Sequence, residues 1–326
     1  MILSAQYSLP HHIWVEMGAL DCRYETYIGP VRATVVTPPR VGPSDLAIAP
    51  TLVGVPDEAW AVEPGDEVPQ WSTTYASFGT DNATGLRRIG LELREDDREV
   101  WESPHHRGQP RTAKIADVTA NHIGHWFSQV ENWVSVVTGE DINHRQPIYD
   151  SNSIGPGLLT WRHGQWIDGG VRISTPTPTP LSQNFLRAIL ERVGDGDQPP
   201  IEHQLWRDSR AALVRGDTRK AVLDAATAVE ICLIDLVAKT EASTGEKYNG
   251  RQGLISRSKW VATRVEDYTP HPALKQLADL RNNTIHAGGA ATYDEACSSV
   301  RVAIDTVMKH GKSRDPRRPY ASVIDG

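Results

Sequence analysis

The chain has 326 residues, is 39% hydrophobic and 23% charged, and carries a net charge of −7. That length suggests about two domains, and that balance excludes wholesale disorder. No apolar run approaches the ~20 residues of a membrane-spanning helix, the start MILSAQYSLPHH does not read as a signal peptide, and three scattered cysteines build no disulfide framework or zinc cage. A soluble, reduced, cytoplasmic protein is expected.

The charge is uneven. Residues 1–180 hold 13 Lys+Arg against 22 Asp+Glu, whereas residues 181–326 hold 21 against 19. Such asymmetry fits a regulatory part joined to a part that meets a polyanion, and equally two domains of different history.

In chain order, residues 24–28, 31–36 and 46–53 are β-branched or aromatic runs bounded by Gly and Pro and are predicted as strands. His11-His12 is expected at the surface, before the first of them. Residues 86–93 alternate and end in the turn Arg94-Glu95-Asp96-Asp97, and residues 54–85 and 100–112 read as loops. Ile123, Trp126, Phe127, Val130, Val134 and Val137 recur at helical spacing, predicting a helix over 117–138 with Asp117 as N-cap and Gly139 as stop. Residues 158–161 and 166–173 flank the turn Arg162-His163-Gly164-Gln165 as a hairpin. Eight tryptophans against two phenylalanines in this half fill a core or line a ligand pocket.

Alternating Thr-Pro over 175–180 favours extended polyproline structure and marks a spacer. Helices are predicted beyond it at 182–193, 203–215, 218–239, 254–265, 272–287 and 293–310. Asp217 caps the third, and Thr292 with Glu295 forms a capping box for the last, which Gly311 closes. The fold class is therefore α+β with two domains. A β-rich unit occupies 1–173, a linker 174–182, an all-α bundle 183–311 and a loose polar tail 312–326.

The fifth of these helices carries the chemistry. Leu274, Leu277, Ala278 and Ile285 share a face at 100° per residue, and Arg281 falls in its middle. A guanidinium there needs a matching charge, which Glu230 on the border of the long third helix can provide. Asn282 and His286 stand four apart and are neighbours. Ile231 and Ile234 lie opposite the main apolar face of the third helix, which makes that helix central or shared with a partner chain.

An all-α domain with Arg281-Asn282-Asn283-Thr284-Ile285-His286 resembles the HEPN superfamily, whose hallmark is R-x4–6-H with a polar residue after the arginine. The Ala-rich stretch 216–230, ending in Glu230, resembles a second recurrent element of these domains, and the resemblance covers about 183–310. It implies a metal-independent endoribonuclease without cofactor, a homodimer in which two such motifs meet. One histidine per protomer then serves as base or acid, Arg281 stabilises the phosphorane, Asn282 orients, and Glu230 supports the arginine. Lys247, Arg251, Arg257, Lys259 and Arg264, from the basic segment 239–264, hold the RNA strand, while an unknown trigger acts at the first domain. Superfamily context implies a toxin or abortive-infection effector. Gly288 stands where some toxins of this type carry a modifiable tyrosine, so that control is not expected.

Two other readings stay open. Arg281 and His286 are a structural bridge and a helix-terminal histidine in a non-catalytic binding module. Alternatively, His105, His106, His122 and His125 bind a metal in a hydrolase. His122-Ile123-Gly124-His125 also spells a nucleotide-binding signature, but lies in an amphipathic helix with no supporting motif.

Overall fold

The computed structural model describes residues 2–40, 47–60, 66, 68–74, 83–94, 111–139, 159–162, 165–168, 179–250, 253–286 and 289–311. The sheet forms from β1 (Ile2–Glu16), β2 (Arg23–Ile28), β3 (Val31–Val36), β4 (Ser72–Thr74) and β5 (Ala83–Arg94). It is antiparallel, with order β1-β5-β3-β2 and β4 on β5 beyond the end of β3. A hairpin of β6 (Leu159–Arg162) and β7 (Gln165–Asp168) stands apart. The helices are α1 (Arg111–Thr138), α2 (Gln183–Gly194), α3 (Ile201–Val214), α4 (Thr218–Thr244), α5 (Leu254–Ala262), α6 (Leu274–His286) and α7 (Tyr293–His310). None of the described helices is long and apolar enough to cross a membrane. The expected α+β layout, a sheet unit followed by a helical bundle, is the one observed.

β2 and β3 match their predicted runs because Gly29, with φ +59°, makes the tight turn between them. β1 departs from expectation. Its register on β5 breaks between Ser8 and Ile13, so residues 9–12 oppose a single residue of β5. Pro10 sits inside this bulge, where its missing N–H breaks no ladder bond. His11-His12 therefore lies within the first strand rather than ahead of it. Residues 47–53 are coil, not the strand predicted over 46–53. They cross the sheet's outer face, where Leu52 is buried over Gly90 and Val53 N–H donates to the buried Glu92 carboxylate at 3.0 Å. Arg23 pairs with the other oxygen of Glu92. Within the predicted loop 54–85 lie a short 3-10 helix, Asp57–Trp60, and β4. α1 starts at Arg111, so Asp117 is inside it rather than at its cap.

The first core lies between the inner sheet face, α1 and α2. Tyr24, Ile28, Val31, Ala33, Leu91 and Leu93 from the sheet meet Trp126, Phe127 and Val130 of α1 and Leu186, Ile189 and Leu190 of α2. Thr26 Oγ1 donates to the Leu190 carbonyl at 2.6 Å and accepts from Trp126 Nε1 at 3.4 Å, so both buried polar groups are satisfied. α2, expected as the first helix of the bundle at 183, thus packs with the sheet, and the two cores part between α2 and α3. Leu181 exchanges 2.9 Å backbone bonds with Trp14 and Glu16, adding a parallel bridge to the free edge of β1. The end of the Thr-Pro segment is therefore pinned; residues 175–178 of it, and the tail 312–326, lie outside the described residues. Trp71, Trp126 and Trp133 are core residues. Trp126 borders an apolar cavity of about 20 Å3, room for about one water rather than for a small molecule.

The second core is built by α3 to α7 around α4, whose Val222, Ala225, Ala226, Val229, Cys232 and Leu233 are buried. Asp217 accepts from Lys220 N–H at the start of α4, and the Thr292–Glu295 capping box opens α7. α1 meets the bundle through Arg207, which donates to Asn132 Oδ1 at 3.3 Å, and through Gly139, against which Trp206 and Arg210 pack.

Two glycines make this packing testable. A Cβ at Gly194 would lie 2.6 Å from the backbone nitrogen of Tyr27, whereas one at Gly124, in mid-α1, meets nothing within 4 Å. Gly194→Ala is expected to lower stability by about 1–3 kcal/mol and Gly124→Ala to raise it by about 0.5–1 kcal/mol in urea unfolding. Equal shifts in both would contradict the α2–sheet packing.

Candidate functional site

α6 presents Leu274, Leu277 and Thr284 to the bundle, all of them buried. Ile285, expected on that face with Arg281, is 44% exposed instead. The buried stripe runs at i, i+3, i+10, and threonine takes the place that the periodicity assigned to isoleucine. Arg281 stands on the border of the stripe, while Asn282 and His286 are exposed. Arg281 Nη1 donates to Asn282 Oδ1 at 3.3 Å. Among the described residues His286 has no hydrogen-bond partner.

Glu230 of α4 faces two guanidinium groups. Its Oε1 accepts from Arg257 Nη1 at 2.7 Å, and its Oε2 lies 3.8 Å from Arg281 Nη2. The pairing of Glu230 with Arg281 expected from sequence is thus the looser of two. The tighter partner, Arg257 on α5, has a side chain only 10% exposed, whereas Arg281 is 38% exposed. Arg257 was expected on an RNA-holding surface; it is instead inside the bundle, because the carboxylate it needs is reached only there.

The remaining basic segment is also engaged. Lys239 pairs with Asp235 at 2.6 Å and Lys247 with Glu241 at 3.5 Å. Arg264 makes bonds of 2.8 and 2.6 Å to Glu246 and stacks over Trp260 at 4.5 Å, with Tyr248 edge-on to the same indole. Lys259 is exposed and makes no ion pair among the described residues. Arg251 lies outside the described residues. Of the five cations expected to hold RNA, Lys247, Arg257 and Arg264 thus each have a carboxylate partner, and the Lys247 and Arg264 pairs fasten the loop after α4.

Several polar groups escaped the sequence reading. His11 Nδ1 lies 2.5 Å from Glu131 Oε1 of α1, and the Tyr7 phenol is pushed up by burial and by Glu131. Glu202 and His203, at the start of α3, are buried, and Glu202 lies near Cys232. Burial, with Glu202 and Asp235 adding to it, raises the Cys232 thiol to about 12. The bulge and the helix starts that bring these groups in carry no periodic signal. His122 and His125 do not converge: the His122 ring covers the Gly29 turn, and His125 bonds Gln129 at 2.9 Å. His105 and His106 lie outside the described residues.

Comparison with protein-family models, curated proteins and solved structures finds no match to this chain.

Two carboxylates fasten the connections of the helical half, Glu241 after α4 and Glu295 at the start of α7. Glu241 is lowered below the ordinary carboxylate value by the Tyr248 N–H and by Lys247, and Glu295 is lowered by the N–H and hydroxyl of Thr292. Groups lowered on folding contribute stability above the unfolded value and lose it as pH falls through the folded one. Thermal unfolding is therefore expected to fall through the acidic carboxylate range, and less steeply in Glu295→Gln. Parallel curves for the two proteins would remove Glu295 from the account.

Proposed function

We propose that the chain is a metal-independent RNA endonuclease of the HEPN type, acting as a homodimer, with the sheet domain as its regulator. A toxin or abortive-infection effector is the biological role that this reading implies. The observation that carries it is a guanidinium, an amide and an imidazole on the open side of α6, with the arginine only loosely held by Glu230.

The chemistry follows from the residue types. RNA carries its own nucleophile, the 2′-hydroxyl. One imidazole removes its proton, and a second protonates the departing 5′-oxygen. The products are a 2′,3′-cyclic phosphate and a 5′-hydroxyl. Arg281 would neutralise charge gathering on the phosphorane oxygens, and Asn282 would fix the guanidinium by its 3.3 Å bond. A single His286 cannot serve both ends at once, so a second copy completes the site. Exposed Ile285 beside the motif, and Ile234 at 47% exposure on α4, provide apolar surface for that copy.

The alternative is a non-catalytic module that dimerises through the helical half and recognises a ligand or protein through the first domain. The pairing of Arg257, Arg264 and Lys247 with carboxylates in the segment 239–264 favours it.

Purified full chain incubated with mixed RNA and excess EDTA discriminates the two. Cleavage that persists in chelator, yields cyclic phosphate ends and falls by about 100-fold or more in His286→Ala supports the nuclease. A folded dimer that leaves RNA intact supports the binding module.

A further inference from the structure

Two arginines share one carboxylate here, and they share it unequally. Arg257 holds Glu230 Oε1 at 2.7 Å from a nearly closed site, while Arg281 stands 3.8 Å from Oε2 at the surface. An arginine does not lose its proton, and a buried one does not give up its counter-charge. The carboxylate is therefore committed inward. Arg281 keeps most of its donors, and the three side chains together carry a net charge of about +1.

We infer that Arg257 is a positioning residue: it anchors Glu230 away from Arg281, so that Arg281 can take a phosphodiester anion. This deepens the nuclease reading and rests on it for the identity of the anion. With Arg257 removed, Glu230 is free to close on Arg281 as an internal substitute for phosphate, and the triad becomes neutral. With Glu230 neutralised, Arg281 has no competing carboxylate. The two changes therefore act on anion affinity in opposite directions. A purely structural bridge does not produce opposite signs, because both changes would simply loosen the bundle.

The test uses the full chain and a short fluorescein-labelled oligodeoxynucleotide, which carries phosphodiesters but no 2′-hydroxyl. Binding is read by anisotropy over a salt series. Arg257→Met is expected to weaken it by about tenfold, the equivalent of one charge-assisted hydrogen bond. Arg257→Lys restores the charge, and because Arg257 makes a single recorded bond to Glu230, it is expected to recover most of the affinity. Glu230→Gln, whose amide oxygen still accepts from Arg257, is expected to bind several-fold tighter than the parent. That variant keeps the inference falsifiable if Arg257→Met fails to fold. A parent that does not bind the oligonucleotide, variants that bind like the parent, or Glu230→Gln binding more weakly would each overturn the inference. Opposite shifts in a protein that leaves RNA intact would keep the anion site and dismiss the nuclease.

Discussion

Burying the Arg257 guanidinium sets the terms for the helical half. Removing such a charge from water costs several kcal/mol unless a partner meets it in good geometry. The partner is Glu230, near the middle of α4 just past its Ala-rich stretch, and the bond ties α5 to α4. Arg281 approaches the same carboxylate from α6, so three helices converge on one group. Buried pairs of this kind add little net stability compared with apolar packing. What this one contributes is register: α5 cannot slide along α4 without stranding a charge.

The pairing also reshapes the electrostatics of the chain. Read along the sequence, residues 239–264 look like a basic stripe of six cations against two acids. In space, Asp235, Glu241, Glu230 and Glu246 each meet one of those cations. Two of these acids lie outside the segment, and one of them is 27 residues from its partner. Long-range attraction of a polyanion to this flank is correspondingly small, because paired charges cancel beyond a Debye length of about 8 Å at physiological salt. On the proposed reading, recognition of an anion would be left to the few groups around Arg281, where it would depend on contact geometry rather than on field.

The elements legible in the sequence were those with local punctuation. α7 coincides with its predicted span because a capping box and a glycine mark both ends, and β2 and β3 coincide because Gly29 turns between them. β1 was obscured by the Pro10-His11-His12 bulge, which interrupts the alternation by which a strand is recognised. Residues 47–53 have strand-like side chains, yet spend them covering Gly90 and Glu92. Part of the candidate site's geometry was legible as well. The approach of Arg281 to Glu230 and Asn282 was readable from spacing and type, whereas the burial of Arg257 was not, because a charged residue in a short helix carries no mark of facing inward. Ile285 and Thr284 exchanged roles because the buried face of α6 is turned toward Leu277, which at 100° per residue brings Thr284 in and leaves Ile285 out.

The connection between the halves bears on how a regulator would act. α2 belongs to the sheet core through Leu186, Ile189 and Leu190, and α3 to the bundle through Trp206. The short stretch between them is fastened, since Trp133 Nε1 donates to the Asp197 carbonyl at 2.9 Å while Arg192 packs over the same indole. Arg207 then reaches back to Asn132. α3 in turn packs along α4, the helix that carries Glu230. The sheet domain is thus joined to the helix that carries the Glu230 carboxylate by a continuous packed route, through α1, then α3, then α4. Because Arg281 sits 3.8 Å from that carboxylate, a displacement of α4 by about 1 Å, the size of ordinary helix shifts, is enough to convert the loose contact into a closed ion pair.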